Sequence, residues 1–482
     1  MSEARDREEG LGRRRFLRQS ALAAAALLVG ATRTSGAQAA GADDERPNLL
    51  LLLTDDQRWD QMGNMTPVIQ TPNMDRLVRH GLRFENAFVT TSICAASRAS
   101  VFTGLVERTH RYTFGRPPLA EDFVRMSYPV LLRTAGYRTG FVGKFGVKVP
   151  KGATDAMFDY FVSLFRNPYF KKQPDGSLRH LTDITADRAV EFLRSCRPGQ
   201  PFCLSVSFNA PHAEDSDPRQ YIWPRRFDGL YEHYQVPPPP LSYPGFFEAQ
   251  PEFLRQSLNR VRWHWRFNTP EKYQQMVKGY WRMITGVDSA IGRILDAVRE
   301  LGVHRNTVVL LLGDNGYFLG ERGFAGKWLP YEPSLRVPLV IHDPRLPGAR
   351  RGARPEQMAL NIDVPATMLE LAGVRVPEEY QGRSLVPIMR GERPHWREDF
   401  WCEHLMEHPQ IPKYEGVRTQ KYKYARYFQQ QPVYEELYDL EADPLEEHNL
   451  ARDPASRCLL EQLQARCDEL RDRYGGPYPW KS

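Results

Sequence analysis

The sequence PNLLLLLTDD, residues 47–56, is an apolar run that stops at two adjacent carboxylates. A continuous apolar run of this length is typical of a strand buried on both faces of a parallel sheet. Two further runs have the same form, TVVLLLGDNG at 307–316 and FCLSVSF at 202–208, the latter followed by Pro211 and His212. Because ligands gather at the carboxyl ends of strands in open α/β sheets, we expect the polar groups after these runs to form one site.

Helical patterns lie between the apolar runs. Residues 72–80, 182–196 and 273–301 carry apolar side chains at the spacing of an amphipathic helix. Strands that alternate with helices predict an α/β fold, here a large, doubly wound and mainly parallel sheet. We place this α/β domain, which carries the strand-end site, at residues 43–360.

The rest of the chain has a different texture. Short strand-like patches at 421–428 and 435–439, followed by a charged helical pattern at 455–474, predict a smaller C-terminal α+β domain over residues 361–482. Residues 214–270 are rich in proline and aromatic side chains, and we interpret them as a long loop excursion on the substrate side, because loops of this length are usually functional or disordered.

Residues 1–42 have the layout of an export signal. The basic stretch GRRRFLR at 12–18 precedes an apolar run at 21–30, and the small residues AQA at 37–39 form a plausible cleavage site. The apolar run is too short to cross a bilayer, and Arg13-Arg14 resembles the twin-arginine signal. We therefore predict export by the twin-arginine machinery to the periplasm or the exterior, with no stable membrane span.

The net charge and the cysteine pattern argue against a nucleic-acid partner and against a structural zinc site. A net charge of +6 is small for 482 residues, and we predict no nucleic-acid partner. The six cysteines form no C-x-x-C motif, which argues against a structural zinc site. In an exported protein Cys196 could pair with Cys203, and Cys458 with Cys467; the alternative is that these are free thiols.

The acidic residues at the strand ends predict a metal site. Asp55 and Asp56 follow the first apolar run, and Asp314 and Asn315 follow another. Four oxygen-bearing side chains with no cysteine or histidine beside them suit a hard cation, calcium or magnesium, rather than zinc. An isolated Asp-Asp or Gly-Asp-Asn-Gly is more often a turn, but both at the ends of buried strands favour ligation.

The stretch SICAASRASVFTG, residues 92–104, carries a specific resemblance. Its Cys94-Ala95-Ala96-Ser97-Arg98, followed by Thr103-Gly104, is similar to the C-x-P-S-R and T-G signature of the formylglycine-dependent sulfatases. Residues 71–89, 327–341 and 436–451 resemble the same family in the same order. The chain is thereby identified as a member of the formylglycine branch of the alkaline-phosphatase-like superfamily.

The resemblance implies the reaction and the residues that perform it. Cys94, oxidised to formylglycine by a maturase, would attack sulfur as a hydrated aldehyde that Arg98 stabilises. Lys144 and Lys327 would hold the sulfate oxygens, and His212 would protonate the departing alcohol. The implied calcium ligands, with magnesium as the alternative ion, are Asp55, Asp56, Cys94, Asp314 and Asn315.

Two positions depart from the family pattern. Ala96 stands where the signature usually has Pro, and Gly146 stands where many members have a histidine after Gly-Lys-Trp. In the family the proline favours oxidation of the cysteine, and the histidine helps to release sulfate from the modified residue. His110 is our candidate for a group that replaces this histidine.

The substrate is expected to be a sulfated carbohydrate or another sulfate ester. Basic and aromatic side chains offer charge and stacking faces for a sulfated glycan, although each could equally be an ordinary packing residue. The candidate contacts are Arg225, Arg226, Trp263, Arg266, Glu403, His404 and His408. Two other functions remain open, a phosphonate or phosphodiester hydrolase on the same scaffold and a catalytically silent glycan-binding protein.

Overall fold

A seven-stranded sheet runs through the centre of the protein. The structure is a computed structural model that describes residues 46–115 and 117–479. Its central strands, in sheet order, are Leu82–Arg83, Leu339–His342, Thr307–Gly313, Asn48–Thr54, Phe202–Ser207, Arg138–Gly143 and Tyr160–Ser163. The last five pair in parallel and the first two pair antiparallel at one edge. The expected α/β fold with a mainly parallel sheet is therefore confirmed.

The apolar run that begins at residue 48 is buried on both faces. Leu49, Leu51 and Leu53 belong to one hydrophobic core, whereas Leu50 and Leu52 belong to another on the opposite face. Successive side chains of a strand point to opposite faces, so a strand covered on both sides must be apolar at every position. This is why the sequence shows a continuous run instead of an alternation.

Helices cover both faces of the sheet. The core on one face includes helices Cys94–Thr103, Tyr128–Thr134 and Asp363–Leu371. The core on the other includes helices Pro72–His80, Leu181–Arg194 and Pro270–Glu300. The last helix begins three residues earlier than the predicted 273, because the Thr269 side chain accepts from Lys272 N and Pro270 occupies the first turn.

The C-terminal part contains a second, antiparallel sheet. Its four strands are Asp399–His404, Tyr414–Thr419, Tyr422–Tyr427 and Tyr434–Asp439, and the helix Arg457–Tyr474 contacts them. The expected C-terminal α+β texture is thus present. The helix Asp363–Leu371 shares its core with the helix Cys94–Thr103, so the domain boundary at residue 360 stays a prediction.

Residues 214–270 differ from the predicted long loop. They contain the short helices Pro244–Glu248, Glu252–Arg255 and Leu258–Arg266. Proline at the first turn of a helix is compatible with helix formation, and the proline content therefore concealed these elements. Other short helices are Glu107–His110, Glu121–Arg125, Ala153–Met157, Glu332–Leu335 and Val386–Arg390.

The remaining elements are small. Two-stranded pairs join Ala87–Phe88 to Ala359–Leu360, Phe170–Lys172 to Leu178–His180, and Phe318–Leu319 to Ala325–Gly326. Single 3-10 turns lie at Arg225–Phe227, His304–Asn306, Glu321–Gly323, Gly348–Arg350, Leu450–Arg452 and Pro454–Ser456.

Three sequence predictions bear on the whole chain. The export signal at residues 1–42 lies outside the described residues. Among the described residues, no helix combines the length and the apolar character needed to cross a membrane. All six cysteines lie within the described residues and are free thiols, so the alternative of free cysteines holds and neither of the two possible disulfides is formed in this structure.

Candidate active site

Two neighbouring parallel strands deliver their carboxylates to the same point. Thr54 pairs with Gly313, so Asp55-Asp56 and Asp314-Asn315 leave the sheet side by side. Asp56 N donates to Asp314 Oδ1 at 3.1 Å, and Asn315 Nδ2 donates to Asp56 Oδ1 at 2.7 Å. All four side chains are buried. The convergence predicted from the strand ends is therefore present.

Cys94 lies beside these carboxylates. It is the first residue of the helix Cys94–Thr103, it is 5% exposed, and Ile93 before it is extended. Its Sγ and one carboxylate oxygen each from Asp55 and Asp314 lie within 4.8 Å of one another. One ligand atom each from Asp55, Asp56 and His212 forms a second such group.

Arg98 fixes the helix of Cys94 to the strand ends. Its Nε donates to Asp314 Oδ2 at 2.9 Å, and its Nη1 donates to Lys144 O at 2.7 Å. Nη1 also contacts Ser207 Oγ at the end of the strand Phe202–Ser207. The guanidinium is 1% exposed and therefore acts as an internal brace.

Two lysines contact the remaining carboxylate oxygens. Lys144 Nζ pairs with Asp55 Oδ2, and Lys327 Nζ pairs with Asp56 Oδ1. Burial disfavours the charge of Lys327, but Asp56 and the neighbouring anionic groups raise its pKa above the usual range. The Lys327 ammonium is therefore charged, and both lysines lie against the carboxylates that surround Cys94, where an anion could meet them.

The carboxylates have divergent pKa values. Burial opposes ionisation of Asp55, but Lys144, Lys327 and Arg98 together lower its pKa to about 2. Burial and the charge of Asp55 raise the pKa of Asp314 to about 6, against the effect of Arg98 and the lysines. Like charges this close disfavour double ionisation, which is a condition that a bound cation relieves.

Three buried oxygens at this point are left without a hydrogen bond among the described residues. They are Asp55 Oδ1, Asp56 Oδ2 and Asn315 Oδ1. Leaving buried polar atoms unpaired is unfavourable, and natural proteins do so where a ligand completes the site. An oxygen-rich set of ligands suits calcium or magnesium, so the residues present fit a hard divalent cation.

His212 lies on one side of this centre. Its Nε2 is 3.5 Å from Asp56 Oδ2, and its Nδ1 is 2.6 Å from Ala213 O and 2.8 Å from Arg166 Nη1. Burial and then the positive charges of Arg166, Lys327 and Lys144 hold its pKa well below the usual value. The ring is thus neutral here and its Nε2 faces the metal-type carboxylates.

Two arginines near His212 were missed by the sequence analysis. Arg166 follows the strand Tyr160–Ser163 and pairs with Glu214 at 3.1 Å. Arg262, on the helix Leu258–Arg266, pairs with Asp215 and stacks on the Trp328 ring at 4.5 Å. Arg166 could have been found from its position shortly after a parallel strand, where site residues gather. Arg262 offered no such signal, because its segment was interpreted as a loop.

Three of the predicted substrate contacts are engaged by other side chains of the protein. They are Arg225, Arg226 and Trp263. Arg225 stacks on Phe170 at 5.6 Å, and Arg226 donates to Asp183 at 2.7 and 2.8 Å. Arg260 stacks on the Trp263 ring at 3.8 Å. No described contact joins these three to the carboxylates that surround Cys94.

The other four predicted contacts differ among themselves. Arg266 is fully buried and pairs with Asp215, beside Arg262. Glu403 is also buried and accepts from Arg108 N and Nε at 2.8 and 2.9 Å. Burial and then Lys413 and Lys327 lower the pKa of His404 to about 3, and its ring nitrogens bond none of the described residues. His408 Nδ1 accepts from Gln410 N at 3.1 Å.

The two departures from the family signature have structural correlates. Ala96 is fully buried and packs with Ile93, Trp328 and Ile411. Gly146 has a φ of +70°, and a Cβ there would lie 3.0 Å from Arg98 Cδ. A side chain at this position therefore requires both a strained backbone and a shift of the brace.

His110 is engaged elsewhere. Its Nε2 lies 3.1 Å from Ser100 Oγ, and its Nδ1 accepts from Tyr112 N at 3.1 Å. Burial lowers its pKa to about 3, so the ring is neutral. These contacts give His110 a packing role. They do not support the hypothesis that His110 replaces the family histidine in releasing sulfate from the modified Cys94.

Comparisons with known proteins identify the family of the chain. The family model described as Sulfatase matches residues 47–374, and the model of the C-terminal part of N-sulphoglucosamine sulphohydrolase matches residues 320–473. The chain is 28% identical to an N-acetylglucosamine-6-O-sulfatase of Bacteroides thetaiotaomicron, over 93% of this chain and 90% of that protein. Human N-acetylglucosamine-6-sulfatase is 26% identical, over 84% and 81% respectively.

Solved structures give the same result. A protein in complex with its substrate D-glucosamine-2-N,6-O-disulfate has a TM-score of 0.77 and 25% identity, covering 89% of this chain and 98% of that one. A phosphonate monoester hydrolase from Silicibacter pomeroyi has a TM-score of 0.75 at 22% identity, covering 89% and 96%, and this likeness concerns the fold alone.

Proposed function

The chain belongs to the sulfatase family of the alkaline-phosphatase-like superfamily, the sulfuric ester hydrolases, and on that premise we propose that it hydrolyses a sulfate ester on a sulfated sugar at Cys94. The single observation that carries the proposal is the meeting of Cys94 Sγ with the Asp55 and Asp314 carboxylates, beside buried oxygens that have no other partner.

Two groups complete the proposed centre. Cys94 oxidised to formylglycine supplies, as its hydrate, the hydroxyl that attacks sulfur. A calcium ion bound there would neutralise sulfate charge and favour ionisation of that hydroxyl. The residues proposed to hold the ion are Asp55, Asp56, Asp314, Asn315 and the modified Cys94.

The protein's own cationic side chains and His212 are assigned the remaining roles, which are sulfate binding, positioning of Cys94 and proton donation. Lys144 and Lys327 lie within reach of the anionic centre, and we assign them to the sulfate oxygens, whose charge rises as the ester bond breaks. Arg98 keeps the first turn of the helix Cys94–Thr103 against Asp314. His212, with Nε2 on the Asp56 side, is assigned to protonate the departing alcohol oxygen; the negative charge of a bound sulfate would first raise its pKa so that Nε2 takes up a proton.

The relatives favour a sulfated glucosamine as the sugar. Two proteins similar over most of this chain are named for 6-sulfated N-acetylglucosamine, and a similar structure holds a disulfated glucosamine. We also propose that the chain matures in the cytoplasm, by a formylglycine-generating maturase, and leaves by twin-arginine export. That route carries folded proteins, whereas the maturase acts on an unfolded chain.

The test uses the full chain made with a maturase. Tryptic mass spectrometry should find Cys94 replaced by the aldehyde, and the protein should release sulfate from N-acetylglucosamine 6-sulfate in a calcium-dependent manner. Cys94→Ala is the matched control, because the side chain is buried and small and the fold should persist. Unmodified Cys94 together with undiminished turnover would overturn the formylglycine assignment.

The same assay separates the two alternatives. A phosphonate or phosphodiester hydrolase would turn over phenyl phosphonate or an aryl phosphodiester faster than an aryl sulfate. A silent glycan-binding protein would bind the sulfated sugar without releasing sulfate, and Cys94→Ala would then change nothing. The lysines and the metal-type site accept any tetrahedral oxyanion, so relative rates are the decisive measurement.

A further inference from the structure

The side of the centre next to His212 holds an unbalanced set of charges. Three guanidinium groups, those of Arg166, Arg262 and Arg266, gather around only two carboxylates, those of Glu214 and Asp215. Arg166 contacts His212 directly, and Arg262 acts on the same ring through its charge. Arg262 and Arg266 share the Asp215 carboxylate, so these ion pairs contain one more guanidinium than carboxylate.

The same arginines have donors to spare. Arg262 Nε, Arg266 Nε and Arg266 Nη1 are buried and bond none of the described residues. Arg166 uses Nε for Glu214 and Nη1 for His212, and its Nη2 bonds no described residue. Buried guanidinium donors without acceptors are unfavourable, and an oxyanion with two or more oxygens can accept hydrogen bonds from two of them at once.

The two outer arginines are held firmly yet remain reachable. The side chains of Arg166 and Arg262 are 24% and 11% exposed. Arg262 is clamped between the Asp215 carboxylate and the Trp328 ring, and Arg166 is oriented by Glu214. A ligand would meet preorganised cations, so little conformational entropy would be lost on binding.

We propose that the leaving group of the substrate carries a second oxyanion, a sulfamate or a carboxylate near the scissile ester, which Arg166 and Arg262 bind. This inference rests on the proposed function, because it takes His212 as the residue at the departing oxygen. It assigns a specificity-determining role to two arginines, both lying on the departing-alcohol side of the centre.

The test compares substrates that differ in charge on the leaving group. Glucosamine 2-N,6-O-disulfate carries a sulfamate in addition to the 6-sulfate ester, N-acetylglucosamine 6-sulfate carries no second anion, and 4-nitrophenyl sulfate has no sugar at all. A uronate-containing disaccharide 6-sulfate adds a carboxylate instead. Wild-type kcat/KM should be higher for one of the doubly charged sugars than for the monosulfate, and which one it is identifies the oxyanion.

Variants then assign the preference to the arginines. In Arg166→Gln and Arg262→Gln, kcat/KM for the preferred doubly charged sugar should fall about tenfold to a hundredfold relative to 4-nitrophenyl sulfate, mainly through KM, since a charge-assisted hydrogen bond is lost. Arg219→Gln is the matched control, because Arg219 is largely exposed and its ion pair with Asp217 lies on the surface. Its ratio should change less than twofold.

Some results would overturn the inference. If both variants lower kcat/KM equally for every substrate, the arginines act only through His212. If the wild type prefers neither doubly charged sugar, the site does not recognise a second oxyanion. Binding of glucosamine N-sulfate to the calcium-loaded protein, by calorimetry, gives a readout free of turnover and should weaken in both variants. Absence of sulfate release from every substrate would refute the proposed function and this inference with it.

Discussion

Arg98 Nε lies 2.9 Å from Asp314 Oδ2, and this buried pair joins the helix that begins at Cys94 to the end of the strand Thr307–Gly313. The side chains are 1% and 0% exposed, so water does not screen the interaction. The position of Cys94 relative to the carboxylates therefore depends on an ion pair between residues 216 positions apart.

Removing this brace should destabilise the protein. In Arg98→Ala, a buried carboxylate loses its partner, and the free energy of unfolding at pH 7 should fall by about 3–5 kcal/mol. The loss should be smaller at low pH, because Asp314 then takes a proton and no longer needs a cation. Urea titrations at pH 7 and pH 5 measure both values, and Arg219→Ala should change either by less than about 0.5 kcal/mol.

The raised pKa of Asp314 predicts how metal binding depends on pH. Its pKa moves from 3.8 to about 6, so the free protein binds a proton there that the metal must displace. Calcium affinity should therefore be constant above pH 6 and fall as the pH decreases below it. Calorimetry in two buffers of different ionisation enthalpy should detect about half a proton released per ion near pH 6, rising toward about one proton near pH 5. Affinity that stays level down to pH 5 would contradict the ligand role of Asp314.

Lys327 and calcium should be partly interchangeable as partners of Asp56. Lys327 is buried and paired with Asp56, so Lys327→Ala should lower the free energy of unfolding of the metal-free protein by about 3–5 kcal/mol. Saturating calcium should then raise the melting temperature of the variant more than that of the wild type, because the ion supplies the missing charge. Lys421→Ala, a surface control, should leave the calcium response unchanged. An equal response in all three proteins would argue against a shared position.

Restoring a larger side chain at Gly146 should harm the site instead of completing it. Gly146 has a φ of +70° and a Cβ would approach Arg98 Cδ to 3.0 Å, whereas Gly176 has a φ of +84° with open space around it. Gly176→Ala should cost about 1 kcal/mol from backbone strain alone. Gly146→Ala should cost more, and the difference measures the contact with Arg98. Thermal melts of both variants, with sulfate release as a second readout, make the comparison.

The buried strands and the carboxylates that follow them could be predicted from the sequence. Contacts between side chains on distant segments could not. The apolar run at 48–54 predicted a buried strand that ends at Asp55-Asp56. Pairing of this strand with Thr307–Gly313 then brings the carboxylates together. Arg166 meets His212 from 46 residues away, and Arg262 meets Asp215 from 47 residues away. No periodic pattern encodes such loop contacts, and the helix Leu258–Arg266 lies in a segment interpreted from the sequence as a loop.

His212 offers the sharpest separation of roles in the proposed reaction. If it protonates the departing oxygen, His212→Asn should lower kcat about a hundredfold or more for a sugar sulfate, whose alcohol is a poor leaving group. The loss should be much smaller for 4-nitrophenyl sulfate, because its phenolate departs without a proton. Asparagine preserves a polar group beside Asp56 Oδ2 and Ala213 O, so calcium affinity should change little. An equal loss for both substrates would assign His212 to binding, because a proton donor must matter most where the leaving group is least stable.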